Sequence, residues 1–302
     1  MDEVINMNEI VKNAHVLFVT LDSLRYDVAD ELFRKDQTPV FRQYCPAGWQ
    51  LGHSPGNFTY AAHHAFFAGF LPTPARSAKS PRLFAARFSG SETTTTNTLV
   101  FDTPDIITGF SQLGFRTICI GGVGFFNQQT PLGRVLPSLF MESYWDPSFG
   151  VTVQDSTSHQ FELAARLAAS VTDEQLFMFI NVSAIHQPNY FYHSPSIASF
   201  ESITDSQISA SNSQAPSPNV HPLGHPGHGI DTIRTHAAAL QYIDSQLPVL
   251  LEAFRKKDRD TFCIFCSDHG TAYGEDNYYG HRIGHPTVWE VPMATFMLKK
   301  NK

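Results

Sequence analysis

The stretch HVLFVTLD, residues 15–22, combines an almost unbroken apolar run with a carboxylate at its end. Such a run predicts a strand that is covered on both faces, as the strands of parallel sheets are. Ligand sites in these sheets form beyond the carboxyl ends of the strands, so Asp22 is a candidate site residue. A carboxylate at this point can equally cap the helix that follows. The role of Asp22 therefore depends on what else the chain brings to the same edge.

Four further apolar runs have the same character, and patterns typical of amphipathic helices lie between them. The runs occupy residues 115–122, 176–183, 261–267 and 293–298, and the clearest helical patterns occupy 161–171 and 232–254. This alternation predicts an α/β fold with three αβα layers and a largely parallel mixed sheet. With 302 residues and 42% hydrophobic content, we expect a single large domain over 1–302.

The composition excludes several classes of partner. A formal net charge of -7 gives no general attraction for nucleic acid or anionic membranes, because both need clustered Lys and Arg. No run reaches the roughly 18 apolar residues of a membrane span, and the first residues show no basic leader, so we expect a cytoplasmic protein. Cys263 and Cys266 lie in one apolar run, which places them on opposite faces of a strand and favours inert core residues. An anionic substrate would need a local positive site.

Residues 194–230 interrupt the alternation with a stretch rich in Ser, Pro, Asn and His. It holds too few apolar residues to pack as a helix or strand, so we predict a loop or lid inserted in the domain. His221, His225 and His228 could bind a metal there. Histidines spaced by Pro and Gly in a polar loop are more typical of a solvated surface.

A second acidic position stands near the other end of the chain, in FCIFCSDHG, residues 262–270. Asp268 and His269 follow an apolar run, and a turn at Gly270 would let both side chains converge on one ion. Carboxylate oxygen together with imidazole nitrogen suits Zn²⁺ or Mn²⁺ better than Ca²⁺. We therefore expect one divalent metal ion at this edge of the sheet.

A hydroxyl lies between these two ends in GNFTYAAHHAFFAGFLPTP, residues 56–74. Asn57 and Thr59 precede an apolar helical run, which places the Thr59 hydroxyl near a helix N-terminus. The macrodipole and the free amides there favour an oxyanion. The alternative is that Thr59 only caps the helix.

At these motifs the chain resembles the alkaline phosphatase and sulfatase superfamily, and especially a branch of bacterial sulfatase-like metalloenzymes. LDSLRYD at 21–27 is similar to the first metal strand of the family, and SDHG at 267–270 is similar to the second. Sulfatases carry a nucleophile motif, C/S-x-P-S-R, before a helix that leads into Gly-x-x-Pro. Counting back from Gly69 and Pro72 aligns that nucleophile with Thr59.

The resemblance implies a metal site and a nucleophile in this chain. The residues that it assigns to the metal are Asp22, Thr59, Asp268 and His269. Thr59 cannot be oxidised to the formylglycine of sulfatases, and Ala61 and His63 replace the Pro and Arg of their motif. The set instead resembles the single-metal core of phosphoethanolamine transferases, lipoteichoic acid synthases and phosphonate monoester hydrolases, which favours phosphate over sulfate.

Further histidines match substrate-facing positions of the same relatives. His186 stands in a His-x-Pro segment just past a predicted strand, and His281 follows His269 at the interval found in the transferases. The resemblance implies that the following residues bind substrate, with His285 able to exchange roles with His281: Asn57, His63, His186, His281 and His285. Each histidine could instead be a core residue with satisfied hydrogen bonds.

These observations predict a metal-dependent hydrolase or transferase that acts on a small anionic ester of phosphate type through Thr59. A sulfatase in the broad sense and a two-metal phosphatase are the alternatives among enzymes. A second metal would need ligands such as His186, His281 or His285. From another class, the chain could be a binding protein that keeps the fold without turnover.

Overall fold

The computed structural model describes residues 5–69, 83–87, 95–197 and 229–302. Within this part of the chain, the main sheet has seven strands in the order β2-β11-β8-β1-β7-β5-β6. Two small two-stranded sheets, β3-β4 and β9-β10, lie outside it. The strand bounds are β1 His15–Leu21, β2 Gln50–His53, β3 Phe84–Ala86, β4 Leu99–Phe101, β5 Phe115–Ile120, β6 Glu142–Tyr144, β7 Gln175–Val182, β8 Thr261–Cys266, β9 Ala272–Tyr273, β10 Tyr279–Gly280 and β11 Glu290–Leu298.

The sheet is largely parallel. Strands β8, β1, β7, β5 and β6 run in one direction, and only β11 and β2 at one edge introduce antiparallel pairing. The apolar runs predicted from the sequence correspond to β1, β5, β7, β8 and β11. Because the five parallel strands point the same way, the residues that follow them meet at one edge of the sheet.

Helices cover both faces of the sheet, as an αβα layering requires. Their bounds are α1 Met7–Asn13, α2 Tyr26–Arg34, α3 Pro39–Tyr44, α4 Thr59–Ala68, α5 Ile106–Gln112, α6 Pro131–Val135, α7 Ser156–Ser170, α8 Ile233–Arg255 and α9 Pro286–Trp289. Leu17 and Val19 of β1 pack into one apolar cluster with α2, α7 and α8, whereas Val16 and Phe18 pack into the other with α1 and α5. The predicted fold class is therefore confirmed.

Two other sequence predictions concern the same layers. Cys263 and Cys266 are buried free thiols in opposite clusters, as the strand alternation predicted. The lid predicted at 194–230 lies almost entirely outside the described residues, which include only 194–197 and 229–230 of it. None of the described helices is both long enough and apolar enough to cross a membrane.

Buried His15 at the start of β1 makes the stability of the fold depend on pH. Its Nδ1 accepts the Leu176 N–H, so Nε2 carries the proton and donates to Asp258. Burial lowers the pKa of His15 from 6.5 to about 4. Between these values the unfolded chain binds a proton that the native chain does not, so protons favour unfolding.

We therefore expect the contribution of His15 to be intact above about pH 6.5 and lost progressively down to about pH 4. Urea titrations at several pH values measure this slope. His15→Asn keeps an acceptor near the Leu176 amide without a group that titrates in this window, so its free energy of unfolding should vary less with pH than that of the wild type. Equal slopes in the two proteins would show that His15 does not govern the dependence.

Candidate metal centre and active site

Two carboxylates and one imidazole converge at the carboxyl edge of the sheet. Asp22 follows β1, and Asp268 and His269 follow the neighbouring parallel strand β8. One ligand atom from each residue lies within 4.8 Å of the others, and all three side chains are fully buried. The turn requires glycine at position 270, because a Cβ there would clash with the carbonyl oxygen of Thr287 at 1.9 Å. Its role is close backbone packing.

Thr59 is the first residue of α4, and its side chain faces the same cluster. Its Oγ1 lies 3.3 Å from Asp22 Oδ2 and 3.3 Å from His269 Nε2. The N-cap of α4 is Phe58, which makes no side-chain capping bond. The capping alternative for Thr59 is therefore wrong, because its hydroxyl points to the carboxylate and the imidazole.

The protonation of His269 leaves a lone pair directed into the cluster. Its Nδ1 donates to the carbonyl of Gly270 at 2.9 Å, so the hydrogen is on Nδ1 and Nε2 is unprotonated. This Nε2 lies 3.7 Å from Asp22 Oδ1 and 3.6 Å from Asp268 Oδ2. Burial lowers the pKa of His269, which favours the neutral ring. A neutral imidazole with a free Nε2 is the form that binds a metal.

Asp268 contains a buried oxygen without a partner. Its Oδ1 accepts the backbone N–H groups of Ser23 and His269, at 3.1 and 3.0 Å, while Oδ2 has no hydrogen bond. Burial, followed by the charge of Asp22, raises the pKa of Asp268 well above its usual value. An unpaired carboxylate oxygen in the interior is costly, and a cation among these acceptor atoms would remove the cost. The donor set therefore fits a divalent metal ion.

The surroundings of Asp22 favour its ionised, carboxylate form. Burial raises its pKa, but the nearby His186 and His269 and the hydrogen bond from Asn181 outweigh burial, and the net shift is downward. Asn181 Nδ2 lies 3.2 Å from Asp22 Oδ2, and the Ser23 hydroxyl donates to Oδ1 at 3.1 Å. Asn181 was not predicted from the sequence, although an amide near the end of the apolar run of β7 is the signal that marks it.

His63, which was predicted to bind substrate, has its ring in the core instead. It is fully buried, its Nδ1 donates to the Thr59 carbonyl at 2.7 Å, and its Nε2 accepts from the Thr20 hydroxyl at 3.0 Å. Phe126 and Phe179 pack edge-on against the ring. Since both nitrogens have protein partners inside the core, His63 supports the first turn of α4.

His186 and His281 lie beside the cluster, and their role in substrate binding stays a prediction. The His281 ring centroid is 4.5 Å from that of His269 and 5.5 Å from that of His186. Burial, and then the proximity of His269 and His186, lowers the pKa of His281 to about 3, and its Nδ1 is buried without a partner. His281 is therefore neutral and has a ring nitrogen available to a ligand.

Asn57 and His285 have structural partners that the sequence did not predict. The Asn57 side chain donates to the carbonyl of Ile283 at 3.4 Å. His285 is the N-cap of α9, where its Nδ1 contacts Thr287, and its Nε2 lies 3.1 Å from Asp276. Both residues fasten the loop around His281, so the predicted exchange of roles between His285 and His281 is wrong.

Replacing His285 tests this correction. We expect His285→Ala to lower the melting temperature by a few degrees, because the loss of an N-cap costs about 1 kcal/mol. Turnover of any substrate should stay within about twofold of wild type at a temperature where both are folded, because His285 touches no site residue. A loss of activity without a loss of stability would restore His285 to the site.

A buried Asp-Asp-His cluster beside a threonine at a helix start, at the carboxyl edge of a parallel sheet, defines a candidate metal centre of the alkaline phosphatase type. The chain belongs to the sulfatase family, because the family model Sulfatase matches residues 14–296. The resemblance inferred from the motifs is therefore confirmed. No curated protein is significantly similar to the chain in sequence.

Solved structures share the fold. The C-terminal periplasmic domain of EcEptC from Escherichia coli in complex with Zn has a TM-score of 0.61 and 12% identity, with 95% of this chain and 74% of that chain covered. The soluble domain of lipooligosaccharide phosphoethanolamine transferase A from Neisseria meningitidis has a TM-score of 0.58 and 12% identity, with 95% of this chain and 77% of that chain covered. The lipoteichoic acid synthase LtaP from Listeria monocytogenes has a TM-score of 0.52 and 11% identity, with 98% of this chain and 71% of that chain covered. Similarity to a periplasmic domain gives no support to the cytoplasmic location expected from the sequence, which stays a prediction.

Proposed function

We propose that this chain is a metal-dependent enzyme that hydrolyses or transfers phosphate-type esters, with Thr59 as the nucleophile. The observation that carries the proposal is the orientation of the Thr59 hydroxyl, 3.3 Å from both Asp22 and His269 and free of any capping role. A threonine that served only as a helix cap would instead bond to a backbone N–H of the first turn.

The metal would be held by Asp22, Thr59, Asp268 and His269, and Mn²⁺ or Zn²⁺ suits these donors better than Ca²⁺. When bound, the ion would supply positive charge next to the Thr59 hydroxyl and favour its ionised form near neutral pH. Among the described residues, this is the one group of three or more His, Cys, Asp or Glu side chains close enough to share an ion. One metal is therefore preferred over two.

The residues of the chain supply the remaining steps. Thr59 Oγ1 attacks the phosphorus in line, the bond to the leaving group breaks, and a phosphothreonine results. The amides at the start of α4 stabilise charge on the nonbridging oxygens. His186 Nδ1 donates to the Gln187 carbonyl at 2.5 Å, which leaves the unprotonated Nε2 to take up the proton that Thr59 releases and deliver it to the leaving-group oxygen. Water or an acceptor alcohol then takes the phosphoryl group from Thr59.

Turnover of synthetic esters tests the proposal. Metal-stripped protein is resupplied with Mn²⁺, Zn²⁺ or Ca²⁺ and offered aryl phosphate monoesters, aryl phosphodiesters and aryl sulfates. We expect hydrolysis of a phosphate ester that depends on Mn²⁺ or Zn²⁺ and is abolished by chelation. A preference for the sulfate ester would favour a sulfatase in the broad sense. No turnover of any ester would favour a binding protein on this fold.

A further inference from the structure

The loop between β10 and α9 holds Arg282 in a backbone conformation that suits glycine. Its φ is 68°, in the left-handed region, and its side chain is exposed. The Arg282 N–H donates to the Asn57 carbonyl at 2.8 Å, which fixes it beside the segment leading into α4. The same turn uses glycine at Gly280, with a φ of 77°. A side chain kept in a strained conformation beside a candidate site indicates a function for that side chain.

The Arg282 guanidinium lies over the Phe58 ring, with its central carbon 4.8 Å from the ring centroid. Phe58 directly precedes Thr59 in sequence, so this stacking fixes a positive charge on the segment that leads into α4. Arg282 also follows His281 directly in sequence, and the His281 ring centroid lies 4.5 Å from that of His269.

Arg282 is also available to a ligand. Among the residues that the structure describes, no carboxylate lies within ion-pair distance of its guanidinium. Arg25, which follows Asp22 closely in sequence, is buried and already paired with Asp27 and Glu275. The charges of Asp22 and Asp268 would balance the two positive charges of a divalent ion at the centre, and His281 is neutral. Arg282 therefore supplies positive charge that an anionic substrate can use.

We propose that Arg282 binds the anionic oxygens of the ester substrate and is a specificity-determining residue of the site. This inference rests on the proposed function, because it takes the ligand at Thr59 to be an anion. The planar guanidinium can donate two parallel N–H bonds to a pair of phosphoryl oxygens, while Phe58 holds its orientation. A chain of net charge -7 needs a local positive site to bind such a ligand, and Arg282 provides one against Phe58, the residue before Thr59.

Calorimetric titration with inorganic phosphate tests the assignment without turnover. Arg282→Gly removes the side chain and suits the backbone, so its melting temperature should equal or exceed that of the wild type. Its phosphate dissociation constant, measured with Zn²⁺ bound, should rise about tenfold or more, as for the loss of a charge-assisted hydrogen bond. Arg282→Lys keeps the positive charge but cannot donate two parallel N–H bonds, so it should bind phosphate with intermediate affinity.

The matched control is Arg259→Gln. Arg259 precedes β8 at the opposite edge of the sheet, about 20 Å away along the strand, so this variant removes the same charge without touching the site. It should bind phosphate as tightly as the wild type. The inference is overturned if Arg282→Gly changes the dissociation constant by less than about twofold, or if the wild type binds no phosphate. Phosphate binding that depends on Arg282, without turnover of any ester, would reject the proposed function and keep this assignment.

Discussion

Thr59→Ala is expected to lower the rate of ester turnover by at least about a thousandfold, which corresponds to about 4 kcal/mol of activation free energy. Alanine removes the atom that forms the covalent bond to phosphorus. The fold should change little, because the hydroxyl caps no helix and its two contacts of 3.3 Å are long. The measurement is kcat/KM on the ester that the wild type hydrolyses, alongside a thermal melt.

Two control variants make the result specific. Thr59→Ser keeps the hydroxyl and should retain part of the activity. Thr157→Ala removes a buried threonine from the first turn of α7, whose hydroxyl has no hydrogen-bond partner, and should leave the rate unchanged. If Thr59→Ala keeps wild-type activity, Thr59 is not the nucleophile and a water molecule must take that role. Mass spectrometry of wild-type protein quenched during turnover should find a phosphate on Thr59.

Asp268→Asn is expected to affect the metal-free and metal-loaded protein in opposite ways. Without metal, it replaces a carboxyl whose ionisation is opposed by burial and by the charge of Asp22 with a neutral amide, so stability should be unchanged or higher. With metal, the wild type should gain about 4 kcal/mol at a thousandfold excess over the dissociation constant, and the variant should gain far less. Turnover should fall with the loss of metal.

Melting curves with and without Zn²⁺ measure both effects. The matched control is Asp244→Asn, which alters a buried carboxylate that accepts the Val40 and Phe41 amides at the start of α3. This variant should be less stable than the wild type in both states and should keep the same rise in melting temperature with metal. If Asp268→Asn also keeps the full rise, the ion is bound elsewhere.

The part of the site that lies on the parallel strands could be predicted from the sequence. Near-continuous apolar runs specify β1 and β8, and the pairing of two parallel strands brings Asp22 next to Asp268 and His269. The threonine could be placed as well, because the residues after it form a helix whose start must face that edge. These positions depend on local pattern and on one rule of topology.

The surrounding residues depend on packing that local patterns do not specify. His281 and His285 are four residues apart, yet the left-handed turn at Arg282 sends one towards His269 and the other to Asp276. His63 occupies the position of an arginine in the sulfatase motif, but its small ring fits into the core instead of reaching outwards. Alignment to a family motif therefore predicts which residue occupies a position in the sequence. It does not predict the direction in which the side chain of that residue points.

Anomalous diffraction from crystals grown with Zn²⁺ or Mn²⁺ tests the central claim most directly. We expect one strong peak among Asp22, Thr59, Asp268 and His269, with ligand distances of roughly 2.0 to 2.2 Å for Zn²⁺. The Thr59 oxygen should be one of the ligands. Crystals that show no peak at this edge of the sheet, or a metal whose ligands exclude Thr59, would contradict the claim.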